Sequence, residues 1–298
     1  MQSKQLSALT FCAATVPSIL LLPQAGWLWA GIAATISALL VFFLQRCEIQ
    51  RTPIWRLSQL VWNLLALGAT AELLCSAFPG GTLLLGILLL LLASYAAAKE
   101  RNVLLRVGAA CVFLLIILYS MLLGFSLPKL SVGQFAVNTN VTWSVLPVAL
   151  TPMLSLQLRD REERVHPLWL CGYVVFTVLA AVVSAGSPDF YTAMKSVSLM
   201  HVMQRLEPLV SVALTIGGFC LMGLLCAVNE KLISEQYSNR KNIAMPLNFL
   251  AGGAGLWLSN LLGDAFFAIG TAIFWGVLPL LAQSLEKRKK FEKNENNA

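Results

Sequence analysis

The chain has 298 residues, 58% of them apolar and 12% charged, with a formal net charge of +7 and a mean hydropathy of +0.75. That balance excludes an ordinary soluble domain, and basic residues scattered over short segments with no aromatic-studded face exclude a nucleic-acid surface. No phosphate loop, metal-spaced cluster or catalytic constellation is visible, so the chain reads as no enzyme and as needing no metal or cofactor.

Ten apolar stretches can be drawn, each about long enough to cross a hydrocarbon core of roughly 30 Å. They fall near 6–23, 27–44, 57–78, 82–98, 103–125, 141–158, 168–186, 208–228, 243–262 and 264–283. The segments between them alternate in charge. One set, from Lys4 through Arg46, Arg101, Arg164 and Lys231 to Lys293, holds 18 of the 21 Lys and Arg residues; the other holds only Lys129, Lys195 and Arg205. The positive-inside rule then puts both termini in the cytoplasm, with an even number of spans. Residues 1–285 read as one membrane domain and 286–298 as a charged cytoplasmic tail. The basic loops favour the anionic leaflet of the bilayer.

The first stretch carries Thr15, Val16, Pro17 and Ser18 near its middle. Proline removes a backbone donor and crowds the preceding turn, so a break or a plain kink is expected there. The outer turn at 23–26 is short, and that at 78–81 holds two helix breakers. In the third stretch Glu72 lies about two turns from the outer end. A carboxylate at depth costs about 2.5–3.5 kcal/mol on insertion scales, so it needs water or a partner. It reads as a cavity acid meeting a ligand amine or a proton, as an interfacial residue reaching outward, or as a protonated packing group. Asn63, nine residues earlier, falls on the opposite helix face.

Two outer segments are longer, at 126–140 and 187–205. The second places Phe190, Met194, Val197 and His201 on one helical face, which suits either a lid or a plain surface connector. The sixth stretch carries Pro147 and then Thr151 and Pro152 near its middle. If the chain is two halves of five spans, the second must be inverted, and interrupted first and sixth helices would flank a midplane site. Arg205 and Glu207 stand where the 187–205 segment enters the eighth stretch. Glu207 and Pro208 suit a capped helix start, and the sharper alternative makes Arg205 and Glu207 a gate, with Arg205 latched to Glu72 or Asp189. Thr215, Gly217 and Gly218 mark the middle of that stretch. Gly252, Gly253 and Gly255 read as a packing face. The cysteines read as reduced packing residues, and His166 and His201 lie in loops where they cannot serve as axial haem ligands within the membrane.

The stretch Phe190 to Ser198, leading into Met203-Gln204-Arg205-Leu206-Glu207-Pro208-Leu209, resembles the endospore germination permease family, the B subunits of spore germinant receptors. So do the short polar start with Gln5, the Pro23 turn, Trp27 opening the second span, and the junction from Tyr95 to Arg106. The chain departs in its compressed loops and in having Ser211 to Thr215 where the family carries a Trp. That family belongs to the amino acid–polyamine–organocation superfamily. The resemblance implies an all-α integral membrane protein of ten transmembrane helices in two inverted five-helix repeats, a leucine-transporter-like fold. It implies a germinant sensor of the spore inner membrane, partnered by A-type and C-type receptor subunits, with both termini on the core side and an amino acid as the small ligand. By depth and by analogy with that fold, Thr15, Val16, Pro17, Ser18, Glu72, Thr151 and Thr215 are the candidate ligand residues. A secondary transporter of amino acids or related solutes is the alternative, and a non-binding scaffold subunit the third.

Overall fold

The computed structural model describes residues 2–21, 26–46, 53–77, 83–99, 101–126, 145–160, 162–184, 207–236 and 243–281. Every regular element among them is helical: α1 (Gln2–Leu20), α2 (Trp27–Leu44), α3 (Pro53–Ala77), α4 (Leu83–Lys99), α5 (Arg101–Ser126), α6 (Val145–Leu150), a 3-10 turn (Thr151–Met153), α7 (Leu154–Leu158), α8 (Pro167–Ser184), α9 (Glu207–Gln236), α10 (Ala244–Thr271) and a π-helical turn (Ala272–Val277). Among the described residues four stretches are long and apolar enough to cross a membrane: Trp27–Leu44, Pro53–Ala77, Arg101–Gly124 and Pro208–Gln236. Shorter apolar helices cover Leu83–Lys99, Val145–Leu158, Pro167–Val183, Ala244–Leu258 and Ala265–Leu281. The lid segment, Arg205 and the tail lie outside the described residues. Glu207 opens α9 as the first-turn acid expected there.

The core is built around α1. Every residue from Leu6 to Ile19 is buried, because α5, α8 and α9 pack around it and the 145–158 stretch closes the remaining side. A helix buried on all sides has no amphipathic stripe, and the small polar residues of α1 accordingly face different neighbours, Thr15 toward α5 and Ser18 toward α8. The outward faces are apolar too. Ile32, Ile36, Leu39 and Phe43 on α2, and Phe113, Leu114, Ile116 and Ile117 on α5, are exposed. Apolar exteriors of this extent are costly in water and cost nothing in hydrocarbon. Polar side chains instead turn inward: Gln59, Asn63, Asn229 and Asn248 are all buried, and Asn229 Nδ2 donates to Asn248 Oδ1 at 2.9 Å between α9 and α10.

The two proline-bearing stretches differ. Pro152 has no N–H, so the Val148 carbonyl loses its helical donor. The Tyr173 hydroxyl on α8 donates to that carbonyl at 2.7 Å, and Thr151 Oγ1 donates to the Pro147 carbonyl at 2.7 Å. With those partners the chain tightens into the 3-10 turn between α6 and α7, and does not unwind. Pro17, by contrast, leaves α1 unbroken; the Leu21 N–H donates to the Pro17 carbonyl at 2.9 Å. The expected interruption of the first helix does not form. Pro17 stands in the last turn, where its ring removes one internal bond and leaves the rest of the helix intact.

Glycines set two other features. A Cβ on Gly68 of α3 would come within 2.3 Å of the Gly255 Cα on α10, so only glycine lets these backbones touch. Gly252 likewise abuts Leu90 and Leu67, whereas Gly253 faces open space. At Gly263, φ 72° and ψ 158° interrupt α10. That left-handed φ is accessible to glycine without a Cβ clash, and the axis turns sharply there. Gly255 meets Gly68 while Gly270 abuts Trp62 only two turns away on α3.

Charged groups gather at one end of the bundle. Arg101 at the start of α5 pairs with Asp160 at 2.7 Å and with Glu163. Lys231 near the end of α9 reaches Asp160 at 3.4 Å and donates to the Arg159 carbonyl at 2.6 Å. Arg56 on α3 lies 3.6 Å from Glu235 on α9. Ser3 and Ser7 at the start of α1 accept from the Arg164 and His166 amides. These contacts tie the starts of α1, α3 and α5 to the end of α9 and to residues 158–160 and 162–166, so the described parts of the basic segments meet there.

The α3–α10 crossing makes a direct prediction. Gly68→Val should lower unfolding stability by about 1–3 kcal/mol, the usual cost of overpacking, read as a lowered melting temperature in detergent. Gly253→Ala, facing open space, should leave that temperature unchanged.

Candidate functional site

Between α1, α3, the 145–158 stretch, α9 and α10 lies a cavity of about 170 Å³. Its lining comprises Pro17, Leu20 and Leu21 from the end of α1, Ala66, Ala69, Thr70, Glu72 and Leu73 from α3, and Pro147 and Thr151 from the sixth stretch. Leu221, Phe267, Thr271 and Trp275 complete it. Pro17, Leu20 and Glu72 belong to the ends of α1 and α3 away from the ion pairs, so the cavity occupies the half of the bundle opposite the basic end. Its volume is below the roughly 300–1,000 Å³ of drug-sized sites, which suits a small solute.

Three of the seven candidate ligand residues, Pro17, Glu72 and Thr151, meet in this lining, together with Pro147. The others stand elsewhere. Thr15 is buried against α5, its hydroxyl 2.9 Å from that of Tyr119. Val16 packs on Gly217. Ser18 turns toward α8, 3.1 Å from the Thr177 hydroxyl. Thr215 bonds back to the Ser211 carbonyl at 2.8 Å, and α9 reaches the cavity through Leu221 instead. Successive residues of an unbroken α1 point in different directions, so only its last turn reaches the cavity.

The sequence reasoning missed Thr70, Thr271 and Trp275. Thr70 carried no usable signal: a spacing of two from Glu72 sets it about 200° around the helix, and it shares its face with Ala66, Ala69 and Leu73. The roles of Thr271 and Trp275 depend on the turn at Gly263, which returns the chain toward α3.

Below the cavity, toward the basic end, Trp275 forms a polar step. Its Nε1 donates to Asn63 Oδ1 at 2.9 Å. One turn away, Gln59 Nε2 donates to the Phe274 carbonyl at 3.3 Å, within the π-helical turn. Such turns displace the backbone ladder and free groups for side-chain partners. Gln59 and Asn63 are wholly buried, and among the described residues neither Gln59 Oε1 nor Asn63 Nδ2 has a hydrogen-bond partner. Trp62 stacks on Phe274 with ring centres 5.3 Å apart, which holds the turn against α3. A second, wider cavity of about 770 Å³ opens at the basic end, lined by Lys99, Arg101, Asp160, Glu230 and Lys231 among others. Its charges are of both signs, and Arg101, Asp160 and Lys231 form the cross-links described above.

Chemically, the inner cavity offers one carboxylate, three threonine hydroxyls and two aromatic side chains in an apolar shell. Among the described residues no group of three or more His, Cys, Asp or Glu side chains is placed to hold a metal ion. Compared with known proteins, the chain matches no protein-family model and no curated protein.

The Trp275–Asn63 bond is testable by a double-mutant cycle. Trp275→Phe leaves Asn63 Oδ1 buried without its donor and should cost about 1–3 kcal/mol of unfolding stability. Adding Asn63→Leu removes the stranded acceptor, so the double variant should be destabilised less than the sum of the two single changes. Strict additivity in chemical unfolding would show that the bond contributes nothing.

Proposed function

We propose that this chain is a small-ligand receptor subunit of a membrane, built as ten spans in two inverted five-helix halves with both termini on the basic, cytoplasmic side. The observation that carries the reading is the cavity. The two most deeply buried stretches, α1 and 145–158, meet across it, and a carboxylate lies in its wall within an otherwise apolar length of α3. A structural carboxylate has no need of a hollow beside it, whereas a ligand-binding one does. The sequence resemblance then supplies the setting: germinant sensing in the spore inner membrane, in complex with A-type and C-type subunits. Ligand occupancy would bias those partners only by as much as the ligand's affinity differs between two states of this subunit.

One observation favours a second reading, that of a secondary transporter. The buried Gln59 and Asn63 continue the polar lining beneath Trp275 toward the basic end. A receptor does not need that continuation, and a permeation path does.

Germination assays separate the two. In a deletion strain, the wild-type gene should restore the response to a single germinant. Ala66→Leu, which fills the cavity with a larger apolar side chain, should abolish it while membrane abundance and subunit assembly stay normal. Full germination with Ala66→Leu would contradict the receptor reading. Saturable uptake of solute by the purified chain in proteoliposomes would favour the transporter.

A further inference from the structure

At the basic end a crevice of about 270 Å³ opens where the start of α1, the chain just past α2 and the entry to α8 come together. Lys4, Arg46 and Arg164 line it, with Phe42, His166 and Pro167. It shares no lining residue with the inner cavity or with the wider one among the ion pairs. Its frame is held by three successive backbone N–H groups that donate to side chains of the other two elements. Arg164 N–H reaches Ser3 Oγ at 3.2 Å, Val165 N–H reaches Gln45 Oε1 at 2.9 Å, and His166 N–H reaches Ser7 Oγ at 2.9 Å. Gln45 and Ser7 are buried, so the segment bearing Arg164 and His166 is fixed against the bundle. These bonds engage the backbone of Arg164, and the residue itself stands exposed. Leu168 N–H donates to His166 Nδ1 at 3.3 Å, which makes Nε2 the proton-bearing nitrogen of that neutral ring. The Arg46 guanidinium lies over the Phe42 ring, 5.0 Å from its centre, which orients its planar fork of donors.

Three cationic side chains around one crevice repel one another, and a bound anion turns that repulsion into attraction. The walls add a second requirement. Phe42, Pro167 and the alkyl stems of the basic residues are apolar. Phe43 and Leu168, next along the chain from Phe42 and Pro167, are large exposed apolar side chains. A free inorganic anion gains nothing from that surface, whereas an amphiphile uses both parts. We infer that the crevice seats the phosphate of an anionic phospholipid from the leaflet at the basic end. Lys4, Arg46 and Arg164 are its partners, and the acyl chains run out along Phe43 and Leu168. This differs from the general pull of basic loops on an anionic leaflet, which is diffuse and screened by salt. Here the donors are placed by bonds to α1 and α2, and the site joins three elements of the bundle through one headgroup.

Native mass spectrometry of the full chain in detergent tests this, with dioleoyl phosphatidylglycerol, dioleoyl phosphatidylcholine and sodium glycerol phosphate as probes. Phosphatidylglycerol should be retained as a saturable first adduct about fivefold or more tighter than phosphatidylcholine. It should also raise the melting temperature, because it binds the folded chain. Arg164→Gln should weaken that adduct by about fivefold and remove the lipid-dependent stabilisation. Lys4→Gln should do the same and serves if Arg164→Gln fails to fold. Arg106→Gln removes an equal charge from an exposed position on α5 outside the crevice, and should leave both readouts unchanged. Equal retention of the two lipids overturns the inference, and so does an Arg106→Gln loss as large as that of Arg164→Gln. Displacement of phosphatidylglycerol by an equal concentration of glycerol phosphate also overturns it, showing a soluble-anion site in place of a lipid one.

Discussion

A helix bundle in hydrocarbon must satisfy its polar groups from within, because no water reaches them there. That constraint orders this chain. Large apolar side chains line the outer faces of α2 and α5, while Asn, Gln, Ser and Thr residues turn inward, some bonding within their own helix and some across to a neighbour. The carbonyl that Pro152 leaves without a donor receives the Tyr173 hydroxyl. The Asn229–Asn248 bond joins α9 to α10. The described ion pairs gather at one end, where Arg101, Asp160, Glu163 and Lys231 cross-link three parts of the chain.

The cavity is the exception to this inward satisfaction. Where α1 ends and the 145–158 stretch passes, α3 and α10 do not fill the remaining space. Close contact at Gly68 and Gly255 fixes the first half of α10 against α3. The turn at Gly263 then brings the second half back, with Phe267 and Thr271 on the cavity wall and Trp275 at its floor. The floor is coupled to α3 through Asn63, and the Trp62–Phe274 stack holds the adjoining π-helical turn in place. A change in the wall at Thr271 therefore acts on the same helical stretch that carries Trp275.

Much of this was legible in the sequence, and the reasons differ by feature. Long apolar runs declare themselves, since a helix of bilayer length needs about 20 such residues; the bounds drawn for α2 coincide with the helix that forms. Proline pairs marked the sixth stretch correctly as irregular, because Pro152 necessarily removes a ladder bond. The same rule misjudged α1, because Pro17 falls in its last turn, a position the pattern of residues alone did not define. Glu72 stood out because a carboxylate in an apolar run is costly. Thr15, Ser18 and Thr215 were chosen by depth, and depth does not specify direction around a helix axis. Their hydroxyls are taken up by Tyr119, Thr177 and Ser211 respectively. Trp275 escaped notice, and Asn63 was noted only as lying opposite Glu72, because their contact spans 212 positions and depends on a glycine turn that no local pattern fixes.

The proposed account needs the cavity, which lies in the half of the bundle away from the basic end, to be reached from that side. Cysteine labelling in intact membranes measures that most directly. With the native cysteines replaced by alanine, a single Thr70→Cys should react with a small, membrane-impermeant, cationic thiol reagent added to the side opposite the basic end, and not from the basic side. Ser76→Cys, at an exposed position on the same helix, serves as the reactive control. Labelling of residue 70 from the basic side alone, or from neither side while residue 76 reacts, would contradict the account.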